Sequence, residues 1–374
     1  MSVADYRAVR TFASPHAHGG GEIRRTMRRV QLALTPATLF GFWLYGWPAF
    51  LLWLITLLSV LVFEFMSLRL AGEKDAGRIL GDGSALLTGW LLAMTLPPWS
   101  PWWVGTLGAF IAIVIGKQVF GGLGQNVFNP AMVARVALLI SFPLQLTAWV
   151  APLPLASLAA PGFIEGLRIT LGQIPLLDAM TSASLLGFAK TELSRGVGLA
   201  QALAAGHAPQ LSWLGVRAGS LGESSALLIL AGGVFLLATG VIRWQAPVGV
   251  LAGTLVPAII AHAFAPEAYL DAGSHLLSGA LLLGAFFIAT DYVTSPVTDL
   301  GKLVFGLGVG LTTWVIRSLG GYPEGVAFAI LFMNALTPII DHCVKPRVLG
   351  RTWSGRPVSL AAPPDARGGS RHGA

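Results

Sequence analysis

A cluster of hydroxyl side chains follows an acidic residue near the middle of the chain, in the run Asp178-Ala-Met-Thr181-Ser182-Ala183-Ser184. A serine or threonine hydroxyl can be esterified by a phosphate group. The same residues also cap helices, because a side-chain oxygen at the N-cap accepts a hydrogen bond from a backbone N–H of the first turn. The residues alone leave two interpretations open, a modification site and the cap of a short helix that begins near Ala183, and they favour the cap.

Amide side chains form a second candidate site, in the glycine-rich break Gly121-Gly-Leu-Gly-Gln-Asn126-Val-Phe-Asn129-Pro130. The break separates two strongly apolar runs. Lipid offers backbone groups no hydrogen-bond partners, so this segment must leave the bilayer or line a protected cavity. Uncharged amides such as those of Asn126 and Asn129 suit the polar ring of a flavin. Asn129, directly before Pro130, also suits the N-cap of a helix, and this is its favoured role.

Ionisable side chains within or at the ends of apolar runs are a third kind of candidate, because charge inside a bilayer is costly and marks function by default. They are Glu64, Lys117, Asp291 and Asp341. Glu64 is the least easily dismissed as a functional residue; the alternatives are that its side chain reaches the membrane surface or pairs with a partner subunit. Asp291 and Asp341 lie at helix ends, where a solvated or capping role is expected.

Metal-binding residues are sparse. The chain has seven histidines and one cysteine, Cys343. No two histidines share a predicted span at the spacing of haem or zinc ligands. A single thiol makes neither an intrachain disulfide nor a four-thiolate cluster. We predict that this chain alone binds no metal.

The composition places these candidates in an integral membrane protein. Hydrophobic residues make up 54% of the chain and charged residues 11%, whereas a soluble domain carries about 25% charged residues. Much of the net charge of +7 lies in basic clusters towards the two ends of the chain. Such clusters orient membrane spans, and they do not indicate a nucleic-acid partner.

Ten apolar runs approach the ~20 residues that cross a bilayer. The basic cluster at residues 24–29 predicts a cytoplasmic N-terminus. Alternation from there places residues 121–130 and the C-terminus in the cytoplasm and residues 150–224 outside. Basic residues are enriched in cytoplasmic loops, and Arg317 is an exception to this charge rule. The runs cover residues 30–47, 49–71, 84–98, 102–119, 131–149, 225–242, 247–265, 275–290, 302–318 and 323–342.

Two stretches with the same order of markers indicate an internal repeat. Ser84-Ala-Leu-Leu-Thr-Gly resembles Ser274-His-Leu-Leu-Ser-Gly, and each is followed by a Gly-Gly turn and by a span that holds an asparagine, Asn129 or Asn334. An odd number of spans in each unit places the second unit upside down. The predicted fold is an all-α integral membrane protein of about ten transmembrane helices, arranged as two inverted five-helix repeats.

The predicted organisation follows from the spans and the repeat. It comprises an N-terminal tail with the first repeat (1–149), a periplasmic loop (150–224), the second repeat (225–342) and a cytoplasmic C-terminal tail (343–374).

Three long and unusual runs of residues indicate a particular family of membrane proteins. They are Lys117-Gln-Val-Phe-Gly-Gly-Leu-Gly-Gln-Asn-Val-Phe-Asn-Pro-Ala-Met, Gly284-Ala-Phe-Phe-Ile-Ala-Thr-Asp291 and Ile316-Arg-Ser-Leu-Gly-Gly-Tyr-Pro-Glu-Gly-Val-Ala-Phe328. These runs resemble the RnfD family, which provides a membrane component of the Rnf electron-transport complexes, and the resemblance extends over nearly the whole chain. The related B component of sodium-pumping NADH:quinone reductases has the same kind of motif but a longer N-terminal region, so the compact start favours the Rnf type.

The resemblance implies a covalent flavin. In the family, the pattern Asp-x-x-Ser/Thr-x-Ala-Thr directs a flavin transferase to attach FMN through its phosphate to the last hydroxyl. Here Ser184 replaces that threonine, and Leu185 replaces the usual following proline. With the family added, attachment at Ser184 becomes the favoured interpretation, and the charge rule places Ser184 outside, where such transferases act. The recognition segment would comprise Asp178, Thr181, Ser182 and Ala183.

The resemblance also implies a second, noncovalent flavin, riboflavin, within the membrane part. The candidate contacts are Asn126, Asn129, Asp291 and Thr294. Near the covalent site, Lys190 and Arg195 could neutralise the FMN phosphate.

The expected function is that of a subunit in a bacterial inner-membrane complex that couples electron transfer between ferredoxin and NAD to the translocation of Na⁺ or H⁺, with the redox chemistry supplied by the flavin. The expected partners are the other membrane and peripheral subunits, among them flavoprotein and iron–sulfur subunits, together with the flavin transferase and membrane lipid. Two alternatives remain open. One is the B component of the quinone reductase; the other is a channel of the urea-channel type, which shares the inverted five-plus-five plan and needs no flavin.

Overall fold

The structure is a computed structural model that describes residues 20–173, 184–204 and 218–345, together with residues 213, 215 and 216. Within these ranges the chain forms helices joined by turns, without a β-strand. The all-α class predicted from the sequence is confirmed.

The helices follow one another in three groups. The first group is α1 (Gly20–Leu70), α2 (Ala76–Leu80), α3 (Ser84–Thr95), α4 (Trp102–Phe110), α5 (Pro130–Ser141) and α6 (Pro143–Thr147). The second is α7 (Phe163–Thr170), α8 (Leu185–Ser194) and α9 (Leu199–Ala204). The third is α10 (Ala226–Ala238), α11 (Gln245–Phe264), α12 (Ala272–Leu277), α13 (Leu281–Leu283), α14 (Asp299–Leu319) and α15 (Val326–Cys343). Helix α4 continues as a π-helical turn over Ile111–Ile115, and α13 continues in the same way over Gly284–Ile288.

Membrane-spanning character is evident in the long helices. Five of the described helices are long and apolar enough to cross a membrane, namely Ile23–Leu70, Trp102–Phe120, Gln245–Phe264, Asp299–Leu319 and Val326–Cys343. The first contains two predicted spans, because Gly46 breaks the helix with φ 74° and ψ −160° directly before Trp47 and Pro48. Glycine adopts this positive φ without the steric cost that other residues incur.

Several other apolar segments are too short to cross a bilayer. Helices α3 and α5 have 12 residues each and α10 has 13. At 1.5 Å per residue, 12 residues span roughly 18 Å, against roughly 30 Å for the hydrocarbon core. The predicted span 275–290 is interrupted between α12 and α13. The predicted continuous span over 131–149 is wrong, because Phe142 leaves the helical conformation before Pro143 (φ −134°, ψ 61°). The count of ten transmembrane helices therefore stays a prediction.

Helices α11 and α14 make the closest helix pair. Each carries two glycines four residues apart, Gly249 and Gly253 on α11 and Gly306 and Gly310 on α14. A Cβ atom on Gly249 would lie 2.8 Å from the Leu303 carbonyl oxygen and 3.0 Å from the Gly306 Cα. Small residues at this spacing let two helix backbones approach within a membrane, where lipid tails provide no hydrophobic driving force for association.

The segment that contains α7, α8 and α9 packs on one end of the helical bundle. The Leu199 amide donates to the Glu267 carbonyl oxygen at 3.0 Å, and Lys190 reaches the carbonyl oxygens of Gly320 and Tyr322. Strict alternation of the predicted spans places these three stretches on the same, outer side. Their contacts agree with that prediction.

We expect Gly249→Ala to lower the melting temperature of the detergent-solubilised chain, because the added methyl group must enter the contact between α11 and α14. Overpacking of this kind costs about 1–3 kcal/mol. Gly321→Ala is the matched control, since nothing lies within 4 Å of the position that its methyl group would occupy. The measurement is thermal unfolding followed by tryptophan fluorescence. Equal melting temperatures for the two variants would contradict the close approach of α11 and α14.

Candidate functional site

A cavity of about 100 Å³ lies between the two halves of the chain, at the end that is predicted to face the cytoplasm. One water molecule needs roughly 10–15 Å³ by the same kind of measure, so the space is large enough for a group of several atoms. Its walls are mostly apolar and include Val30, Leu87, Leu91, Phe286 and Phe287. Its polar lining includes Thr26, Ser84, Thr88, Lys117, Asn126, Asn129, Thr290 and Asp291. Apolar walls with a few convergent polar groups are typical of a cofactor or small-molecule site.

Asn129 connects the glycine-rich turn to the turn that follows the π-helical part of α13. Its Oδ1 accepts from the Met132 amide at 3.3 Å and so caps α5, as the sequence predicted. Its Nδ2 donates to Asp291 Oδ2 at 3.3 Å. The two turns that were predicted separately as flavin contacts are therefore adjacent in the structure.

Asp291 is the centre of a second set of hydrogen bonds. Its Oδ1 accepts from the Val293 amide at 3.2 Å, and its Oδ2 accepts from Thr294 Oγ1 at 3.1 Å. The Asp291 carboxylate thus fixes the turn around it, whereas the helix that follows this turn is capped by Thr298. Thr294 does not line the cavity, but its hydroxyl binds the Asp291 carboxylate.

Asn334 was not predicted as a site residue, yet it holds the two turns together from α15. Its Oδ1 accepts from the Asn129 amide at 3.1 Å, and its Nδ2 donates to the Thr294 carbonyl oxygen at 3.1 Å. Asn129 and Asn334 are the asparagines that marked the internal repeat. The signal that could have identified Asn334 is a single amide residue in the middle of an apolar run of the sequence.

A buried ion pair adjoins the cavity. Lys117 Nζ lies 2.6 Å from Glu64 Oε1 and donates to Ser84 Oγ at 2.9 Å. The two charged side chains are only 3% and 2% exposed. Both alternatives to a functional role of Glu64 are therefore wrong: its carboxylate does not reach the membrane surface, and its counter-ion is Lys117 of the same chain and not a partner subunit. Ser84 is the first residue of α3, so the pair also fixes the start of a short helix.

Ser184 lies away from the cavity, in the segment packed on the other end of the bundle. It is the N-cap of α8, and its Oγ accepts from the Gly187 amide at 3.2 Å. The helix-cap interpretation is confirmed for this residue, whose side chain remains partly exposed. The other four residues of the predicted recognition segment, Asp178, Thr181, Ser182 and Ala183, lie outside the described residues.

Lys190 projects from the same helix towards the end of α14. Its ammonium group donates to the carbonyl oxygens of Ile316, Gly320 and Tyr322 at 3.1, 2.5 and 2.6 Å. Burial, and then the positive charge of Arg317, hold the pKa of Lys190 below its usual value. Its contact with an FMN phosphate stays a prediction. Arg195, in contrast, is largely exposed and pairs with Glu192 at 2.8 Å. It is the C-cap of α8, about 16 Å along the helix from Ser184 at the N-cap.

Arg317 was an exception to the charge rule, and the structure explains why. Its side chain is 4% exposed. It donates to the carbonyl oxygens of His275 and Ser278 at 2.8 and 3.1 Å and pairs with Glu324 at 3.3 Å. A guanidinium that is neutralised inside the protein is not a loop charge, so it does not count in the rule.

Within the ranges that the structure describes, no group of three His, Cys, Asp or Glu residues could hold a metal ion. That this chain alone binds no metal nevertheless stays a prediction.

Broken apolar helices around an internal cavity with a few polar groups define a class: helical membrane proteins that hold a ligand, ion or cofactor between two halves of the chain. The particular family follows from comparison with known proteins. Residues 10–350 match the NQR2, RnfD, RnfE family, and the chain belongs to this family.

Curated relatives narrow the assignment. The chain is 52% identical over 347 residues to a protein of Halorhodospira halophila, covering 93% of this chain and 97% of the relative. It is 52% identical to a protein of Stutzerimonas stutzeri, covering 91% and 95% of the two chains, and 46% identical to one of Rhodobacter capsulatus, covering 94% and 97%. All three are named as the D component of an ion-translocating oxidoreductase complex. The resemblance to RnfD is confirmed, and the chain is a component of an ion-translocating oxidoreductase complex, with other subunits as its partners.

We expect Lys117→Met and Glu64→Met each to destabilise the protein strongly, and the double variant to be more stable than either single one. Removal of one partner leaves an uncompensated buried charge, which costs about 3–5 kcal/mol, whereas removal of both leaves none. The measurement is thermal unfolding of the three variants in detergent. A double variant that loses as much stability as the sum of the single variants would show that the two charges do not pair.

Proposed function

We propose that this chain is the flavin-carrying membrane subunit of an Rnf-type complex in a bacterial inner membrane, with FMN esterified to Ser184 and a second, noncovalent flavin in the cavity at Asn129. In this role it carries electrons between ferredoxin-side and NAD-side modules on partner subunits, and the complex couples the transfer to Na⁺ or H⁺ translocation. The observation that carries the proposal is the position of Ser184, a partly exposed hydroxyl at the N-terminus of a ten-residue helix.

The geometry of Ser184 fits a phosphoester. A phosphate on its Oγ would lie at the positive end of the helix dipole, beside the free N–H groups of the first turn. The Gly187 amide donates to this oxygen at 3.2 Å, and an ester oxygen can still accept such a bond. Capping and attachment therefore use the same atom without excluding each other. The flavin transferase would need access from the solvent, which the partial exposure of Ser184 provides.

The cavity fits the ring of a noncovalent flavin, such as riboflavin, in the chemistry of its lining. A flavin ring is flat and apolar on its faces and presents carbonyl oxygens and ring nitrogens at one edge. Phe286 and Phe287 supply apolar wall, while Asn126 and Asn129 supply amide groups of the kind that bind such an edge. Asn126 Nδ2 donates to the Phe128 carbonyl oxygen at 3.0 Å, which fixes the side-chain amide of a residue that lines the cavity.

The bound flavins would supply the redox chemistry; the residues of this chain would hold, orient and shield them. Ser184 fixes one flavin covalently, and Asn126, Asn129 and Asp291 orient the other. Lys117 and Glu64 neutralise each other next to the cavity, so the site gains a buried hydrogen-bonding environment without a net charge from this pair. The names of the relatives favour this proposal over a solute channel and over the membrane component of a quinone reductase.

We expect the wild-type chain from its native host to fluoresce under ultraviolet light after denaturing electrophoresis, and Ser184→Ala to be dark. Ser184→Thr should remain fluorescent, because threonine supplies the same hydroxyl. Ser194→Ala, at the other end of the same helix, is the matched control and should fluoresce like the wild type. A dark wild-type band with an unmodified intact mass would exclude a covalent flavin and remove the main support for the proposal.

The cavity makes a separate prediction. Acid denaturation of the purified wild-type complex should release one additional flavin. Asn126→Ala and Asp291→Asn should each weaken the binding of that flavin about tenfold, since a buried hydrogen bond contributes about 1.4 kcal/mol, and should therefore release less of it after dialysis against flavin-free buffer. Asp341→Asn is the control, because Asp341 accepts from the Val297 amide and does not line the cavity. Covalent fluorescence should be the same in all four proteins. Undiminished flavin release from both cavity variants would place the second flavin elsewhere.

A further inference from the structure

Lys190 of helix α8, which Ser184 caps, binds the membrane part of the chain. Lys190 lies six residues after Ser184 and donates to the three carbonyl oxygens of Ile316, Gly320 and Tyr322. The last carbonyls of a helix have no intrahelical partner and carry the negative end of its dipole, so an ammonium group binds there favourably. The rest of the contact is a small apolar cluster that consists of Leu186, Ala189, Leu199 and Leu270, with Leu193 packed against it.

The same end of α14 also fixes a broken membrane helix. Arg317 follows Ile316 directly, and its guanidinium binds the His275 and Ser278 carbonyl oxygens, which are the last carbonyls of α12. Helix α12 stops there, and α13 starts again at Leu281. Arg317 therefore supplies the hydrogen bonds that the interruption of the helix would otherwise leave unmade inside the membrane.

Lys190 and Arg317 thus bind neighbouring parts of one structure. Lys190 approaches the end of α14 from α8, and Arg317 leaves the same turn towards α12. Both side chains line one small cavity beneath α8, together with His275. Glu324 pairs with Arg317 at 3.3 Å and is the carboxylate that balances this group of positive charges from the loop before α15.

We propose that Lys190 is a positioning residue which, with Arg317, forms a joint between the flavin-bearing helix α8 and the interruption between α12 and α13. The joint fixes where the covalent flavin sits relative to the membrane part, and a displacement of α8 is transmitted through the end of α14 to the interruption. The joint itself consists of contacts within this chain. Its role in positioning a flavin rests on the proposed attachment at Ser184.

This role differs from neutralisation of the FMN phosphate. All three carbonyl contacts of Lys190 are on α14 and the turn after it, and an ammonium group has three N–H donors. Six residues of helix also separate Lys190 from Ser184 by about 9 Å along the axis. The donors of Lys190 are already used by the membrane part, so its positive charge serves mainly to hold α8 in place.

The test compares Lys190→Met, Lys190→Arg and Arg195→Met in the assembled complex. Methionine keeps the length of the side chain but removes the donors, and arginine restores positive donors. Arg195→Met removes an exposed cation from the C-terminal end of the same helix and is the matched control. Hydrogen exchange is measured at the amides of α8 and at residues 272–283, and fluorescence depolarisation of the covalent flavin is measured in the same samples.

We expect Lys190→Met to raise exchange at least about tenfold both in α8 and in residues 272–283, and to speed the depolarisation of the flavin, with an unchanged amount of covalent flavin on a denaturing gel. Lys190→Arg should restore most of each signal, and Arg195→Met should leave all three as in the wild type. Exchange that rises in α8 alone would overturn the joint, and so would a Lys190→Met variant that matches Arg195→Met. A wild-type chain without covalent flavin would overturn the proposed function instead, while the exchange data would still decide whether the joint exists.

Discussion

The absence of water inside a bilayer constrains the polar groups in the membrane-spanning part of this chain. A backbone N–H or C=O that leaves a helix within the membrane has no solvent partner, so each interruption requires a specific side chain to satisfy it. Asn129 caps α5 where that helix begins after the glycine-rich turn. Arg317 binds the carbonyls at the end of α12. The fold can keep short and broken helices only because such residues are placed at the breaks.

The same constraint governs the charged residues. An isolated ion is costly in a medium of low dielectric constant, and pairing within the chain offsets part of that cost. Glu64 and Lys117 are neutralised by each other, and Arg317 by Glu324. Each pair also binds a structural element: Lys117 reaches Ser84 at the start of α3, and Arg317 reaches the end of α12. The same two ion pairs therefore both neutralise buried charge and fix the ends of short helices.

The sequence was sufficient to predict those features that depend on residues close together in the chain. Apolar runs with few charges predicted the helical membrane class, and Asn129 before Pro130 predicted a helix cap, because both depend on residues that are neighbours in the chain. It was insufficient where the partner is remote. Glu64 pairs with a residue 53 positions away, and Asn334 bonds to a residue 205 positions away. Nothing at either position alone specifies such a partner. The prediction of a continuous helix failed at position 142 for a different reason: apolarity continues through it, but Pro143 disfavours a helical conformation at the residue before it.

The position of Ser184 as a helix cap is compatible with the attachment that we propose for it. A helix cap needs an oxygen at the N-terminus of a helix, held by an amide of the first turn; attachment of a phosphate needs an accessible oxygen near positive charge. The N-terminus of α8 meets both needs with one atom, because the dipole that favours a cap also favours an anion. A replacement of threonine by serine at this position keeps the oxygen and its hydrogen-bond geometry and removes only a methyl group. The proposed attachment therefore requires the oxygen at the end of the helix, which serine supplies as threonine would.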